Sequence, residues 1–145
     1  MDMSKFDPKE VARYQASARD DHASLMRFAL HVESRDPTNL WPQMVYARSA
    51  ACDEERAHYL DQAIRAGRKR LEVGPMDSRE SRLYRKAHYA LAHVRAKLGN
   101  PEGASRVIAD LLELDPHDEM NALGMGVTMG IFPANAAQSA SRMTM

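Results

Sequence analysis

Apolar residues recur along this chain at intervals of three and four, the spacing that gives an α-helix one continuous apolar face. One stripe runs through Ala57, Leu60, Ile64 and Leu71, with Gly67 in register. A second joins Tyr84, Ala87, Leu91, Val94 and Leu98, and a third Ala104, Val107, Ile108, Leu111 and Leu112. No strand-like alternation accompanies them, so the pattern predicts an all-α chain. Seven helices are expected, over about 8–18, 22–34, 40–51, 54–72, 78–98, 101–114 and 117–130. The first two are open to reading as one, because Val11, Tyr14, Ala18, Leu25 and Val32 stay nearly in phase across Asp20-Asp21.

Punctuation supports this division. Asp7-Pro8, Asp36-Pro37, Gly74-Pro75 and Asp115-Pro116 fall at wide, near-regular intervals. Proline pushes the residue before it out of the α region, so each pair marks a helix end. Start signals follow. Asp77-Ser78-Arg79-Glu80 pairs an N-cap with a carboxylate three residues on, and Asp7-Pro8-Lys9-Glu10 does the same with proline at the first helical position. Gly99 closes one helix, Asn100-Pro101 opens the next, and Asp53-Glu54-Glu55 places three acids where the macrodipole favours them. The segment 117–130 is the least regular, since Gly124, Gly126 and Gly130 each cost about 1 kcal/mol in a helix interior. Met120, Met125 and Met129 there read first as a cap on the end of the helical stack, and alternatively as a contact surface. The tail from Pro133 to Met145 is expected to be disordered, leaving one domain over 1–132.

Two amphipathic helices hinged at Gly99-Asn100-Pro101 and stopped at Asp115-Pro116 make 84–116 the most regular unit. It resembles one tetratricopeptide repeat, a helix pair of about 34 residues. The likeness rests on Leu91-Ala92, Gly99-Asn100, Ala104 and the closing Leu112-Glu113-Leu114-Asp115-Pro116. Residues 39–75 resemble a repeat through Trp41, Ala57, Ala63-Ile64 and Pro75, and residues 8–37 through Asp20-Asp21 and Asp36-Pro37. The resemblance implies stacked antiparallel helix pairs in a superhelix, and a non-enzymatic scaffold that binds proteins or peptides. In the best unit it also implies a peptide-binding groove lined by Lys86, Tyr89, His93 and Lys97, which are spaced three, four and four apart on one stripe. Ala90 stands where a carboxylate-clamp repeat would carry arginine. Trp41 is expected to anchor the packing between repeats.

Charge adds a preference. The chain has 20 basic and 20 acidic residues, but they are unevenly placed. Residues 1–64 carry 8 basic and 11 acidic side chains, 65–97 carry 10 and 3, and 98–145 carry 2 and 6. The net charges are therefore −3, +7 and −4. The central positive segment suits an acidic protein or peptide partner. The alternating order also suits self-association into a homo-oligomer, the alternative reading. The run Arg65, Arg68, Lys69, Arg70, Arg79, Arg82 and Arg85 raises RNA binding as a weaker third, against a neutral total and few aromatics.

Reaction chemistry finds no foothold in the sequence, and no cofactor is expected. His88 and His93 point about 140° apart on a helix, which suits no shared metal. His58, with Glu54 and Asp61 at helical spacing, reads as a solvated ion pair. Gly124-Met125-Gly126 follows no strand and carries no nucleotide signal. A single cysteine, Cys52, excludes an internal disulfide and reads as a small buried thiol. No apolar run reaches the ~20 residues of a membrane span, and the start has no signal-peptide pattern, so a cytoplasmic location is expected.

Overall fold

A computed structural model describes residues 22–133, and every regular element among them is a helix. Six helices follow in order: α1 (His22–Arg35), α2 (Trp41–Arg48), α3 (Asp53–Val73), α4 (Ser78–Lys97), α5 (Pro101–Leu114) and α6 (Ala122–Thr128). The helix expected over 8–18, its continuity with 22–34, and nearly all of the tail lie outside the described residues. Each helix packs on its neighbours in sequence, and α4 also touches α6.

The α3, α4 and α5 helices hold the main core. Leu60, Ile64, Leu91, Ile108 and Leu111 are each at most 4% exposed there. Small residues set the spacing between helices. Ala63, Ala87, Ala92 and Ala104 are fully buried, and Gly67 meets the face of Tyr84. A Cβ on Gly67 would stand 2.5 Å from Tyr84 Cδ1 and Cε1, so α3 and α4 approach here only because that position lacks a side chain. A smaller cluster joins α1 and α2 through Ala29, Val45 and Tyr46. Trp41 packs there edge-on against Phe28 at 5.5 Å. The Tyr46 hydroxyl donates to Glu33 Oε2 at 2.7 Å, and burial, with this carboxylate, pushes the phenol far above its ordinary pKa.

The helix ends follow the cap signals. Asp77 Oδ1 accepts from Glu80 N at 2.8 Å while Glu80 Oε1 accepts from Asp77 N at 3.2 Å, a complete capping box at the start of α4. At its other end Gly99 takes φ 77°. Gly99 N then donates to Ala96 O at 3.1 Å and Asn100 N to Arg95 O at 2.9 Å, the paired bonds of a Schellman motif. Asn100 Oδ1 accepts from Gly103 N at 3.0 Å and so starts α5.

Two helices are shorter than their apolar patterns suggest. The α2 helix stops at Arg48, short of the expected Ala51, because the Ala47 carbonyl is taken by Ala50 N and by the Arg56 side chain of α3. The α6 helix begins at Ala122, five residues after the expected start at His117. Asp118 and Asn121 there adopt the left-handed conformation, with φ 49° and 56°. The Asp115 carboxylate accepts from Glu119 N and Met120 N, and Asp118 from Ala122 N and Leu123 N. These side-chain bonds satisfy the backbone in place of a continuing helix. Met125 is buried, and Met120 and Met129 pack against the core.

Candidate interaction surface on the fourth helix

The outward face of α4 follows directly from its sequence. Counting 100° per residue, buried Tyr84, Ala87, Leu91 and Val94 define the inner side. Arg79, Arg82, Lys86, Tyr89, His93 and Lys97 fall on the opposite side, and no carboxylate shares that stripe. The four expected groove residues thus lie on one face, but they are not equivalent. Lys86 and Lys97 are exposed, while Tyr89 and His93 are half-buried, and Tyr89 leans against the core. Lys97 Nζ sits 3.6 Å from Asp53 Oδ2 at the start of α3.

Ion pairing divides the basic segment further. Five of its ten cations have a carboxylate within 4.0 Å. Arg65 meets Asp61 at 2.9 Å, Arg95 meets the same aspartate at 3.9 Å, and Arg68 meets Asp110 at 3.9 Å. Arg70 makes the closest of these contacts, with Glu80 at 2.8 Å. The remaining five, Lys69, Arg79, Arg82, Arg85 and Lys86, have no such partner among the described residues. Four of them stand in the first half of α4. Positive charge is therefore concentrated there, beside a helix N-terminus that is itself the positive end of a dipole.

Arg70 has a structural task that its place in a basic run conceals. Its Nε and Nη2 face the two oxygens of Glu80 at 2.8 and 3.3 Å. Its guanidinium also donates to the carbonyls of Gly74 and Pro75, each at 3.3 Å. One side chain thus clamps the end of α3, the connecting turn and the capping box of α4.

Sequence neighbours of that clamp, Leu71, Met76 and Ser81, line an apolar cleft of about 300 Å³ together with Tyr84, Arg85 and Leu114. Leu71 is 41% exposed and Leu114 39%. The apolar stripe suggests a buried Leu71. It lies open because it stands in the last turn of α3, at the mouth of this cleft, and not between packed helix faces. Leu98 is likewise 38% exposed at the end of α4. A larger, polar cleft of about 600 Å³ lies beside α3, where Glu33 and Asp61 accompany Arg65, Arg68 and Lys69. Both of its acids are already engaged, Glu33 by Tyr46 and Asp61 by Arg65 and Arg95.

The histidines do not converge. His88 is 2% exposed in the core, where its Nδ1 lies 2.8 Å from the Tyr84 carbonyl. A carbonyl only accepts, so Nδ1 carries the proton. Burial lowers the pKa of His88, against the raising effect of that hydrogen bond. His93 stands on the outer face of α4. His58 stacks edge-on against Tyr59 at 5.3 Å, while its expected partner Asp61 is taken by Arg65 and Arg95. Among the described residues no three His, Cys, Asp or Glu side chains are placed to hold a metal ion. Cys52 is exposed, contrary to its expected burial, because it occupies the extended position just before α3. No described helix is long and apolar enough to cross a membrane. Comparison with family models, curated proteins and solved structures finds no match for this chain.

Proposed function

We propose that this chain is a non-enzymatic, cytoplasmic interaction module that binds an acidic protein or peptide segment on the outer face of α4. The observation that carries the reading is the carboxylate-free stripe from Arg79 to Lys97, whose first-half cations have no acidic partner among the described residues. Arg79, in the first turn of α4, runs against the helix dipole at about 0.3–1 kcal/mol, and Arg82, Arg85 and Lys86 follow it closely. A surface kept at that cost, while five neighbouring cations are neutralised, is suited to meeting carboxylates from outside. The repeat resemblance supports the same reading. The α2/α3 and α4/α5 helices pack as consecutive pairs, α3 packs on α4, and α4 touches α6, the contacts expected of stacked tetratricopeptide-like units. The binding surface in this reading comprises Lys86, Tyr89, His93 and Lys97, extended by Arg79 and Arg82.

The test is fluorescence anisotropy with a labelled oligo-glutamate peptide across a salt series. Arg82→Glu with Lys86→Glu is expected to weaken binding by about tenfold, or 1.4 kcal/mol. Arg106→Glu, an exposed position on α5, should leave binding within twofold. Equal losses from the two variants would show general charge attraction and would overturn the assignment to α4.

A further inference from the structure

The apolar cleft and the unpaired cations share one edge of α4. Ser81, Tyr84 and Arg85 line the cleft. Arg82 projects between Arg85 and Lys86 around the helix, at 100° per residue. Arg85 therefore belongs to both features. Three of the five most exposed large apolar residues gather at this end, Leu71 and Leu114 in the cleft and Val73 beyond it at 80% exposure. Scattered singly they would need no explanation, but grouped beside a one-sign charge field they form a composite surface.

We propose that this cleft receives one large apolar side chain of the acidic partner segment, whose carboxylates lie across Arg79, Arg82, Arg85 and Lys86. The inference rests on the binding reading above and specifies the partner's chemistry. A volume of about 300 Å³ lies at the bottom of the range for small-molecule sites, and fits a single Leu, Phe or Trp. Leu71, Met76, Leu114 and the Tyr84 ring supply its apolar lining, and Ser81 and Arg85 add polar groups. The Arg70–Glu80 clamp fixes the turn bearing Met76, so the cleft is formed before anything binds. From Arg79 to Lys86 the helix rises about 10 Å, which an extended chain covers in about three residues. The partner motif is thus one bulky apolar residue with two or three carboxylates within a few positions of it.

A random dodecapeptide phage library selected on the intact chain tests this. Enriched peptides are expected to combine a Leu, Phe or Trp with at least two nearby acids. A synthetic representative, followed by anisotropy, should lose about tenfold or more when its apolar residue becomes alanine, the loss for un-burying one large side chain. Leu71→Asp and, separately, Leu114→Gln should give similar losses, with far-UV circular dichroism confirming each fold. If both variants unfold, the alanine peptide decides alone. Acidic peptides that depend on Arg82 and Lys86 but ignore their own apolar residue would overturn the cleft assignment and leave the α4 reading standing. No enrichment, or enriched peptides without acids, would overturn both.

Discussion

Breaking the Arg70–Glu80 pair should cost more than a surface ion pair and less than a buried one. The two side chains are 21% and 13% exposed, so solvent screening is limited but present. Exposed pairs contribute about 0–1 kcal/mol, whereas hydrogen bonds to a charged group contribute about 1.5–3 kcal/mol. Arg70→Met keeps the aliphatic stem but loses the guanidinium bonds to Glu80, Gly74 and Pro75. The expected loss is about 2 kcal/mol, or roughly 8 °C in Tm for a domain of this size. Glu80→Gln preserves an acceptor for the capping box and removes only the charge, so about 1 kcal/mol is expected. Urea unfolding of both single variants and the double variant gives the coupling energy, expected near about 1 kcal/mol, no larger than the Glu80→Gln loss. Because the pair is mostly shielded, the coupling should persist in high salt. A coupling below about 0.5 kcal/mol would refute the clamp and leave the capping box alone to hold the turn.

Two further outcomes follow from the core. Gly67→Ala gains about 1 kcal/mol in helix propensity but drives a methyl to 2.5 Å from the Tyr84 ring. Overpacking of about 1–3 kcal/mol should win, because the Tyr84 ring is 6% exposed and packed in the core. Thermal melts should show a net destabilisation, and a higher Tm would mean that the ring moves. His88 titrates below its ordinary value in the folded chain. Above about pH 6.5 both states are neutral there and its contribution is complete. As pH falls through that value the unfolded chain takes the proton first, and stability declines by up to about 1.4 kcal/mol per pH unit until the folded pKa is reached. His88→Leu should flatten this part of a urea-midpoint profile just below about pH 6.5, and an unchanged slope would refute the assignment.

Local signals proved the most legible. Asp77 and Glu80, Gly99, Asn100 and Pro101 act within a few residues of their own position, so the sequence displays their whole environment. The buried faces of α4 and α5 were equally readable, because periodicity reports which side of a helix is apolar. It does not report what covers that side. Leu71 and Leu98 keep the phase of their stripes yet lie open, since exposure at a helix end depends on where the neighbouring helices stop. Arg70 and Arg79 look alike in the basic run. Only the fold separates them, by bringing Glu80 to one and, among the described residues, no carboxylate to the other. The late start of α6 was hidden for a related reason. Asp118 and Asn121 choose a left-handed turn over helix, and that choice depends on backbone partners that a periodic pattern does not encode. For the candidate site, the stripe on α4 was visible in the spacing, while the cleft, built by three separate helix ends, was not.

The long-range ion pairs give α4 an electrical direction. Arg95 and Lys97, at its C-terminal end, face Asp61 and Asp53 of α3, whereas Arg79, Arg82, Arg85 and Lys86 meet no acid among the described residues. A free peptide copying α4 would be basic along its whole length and would attract anions anywhere along it. In the folded chain one end is muted by a neighbour and the other left live, so an approaching acidic segment meets a gradient and is told which way to lie.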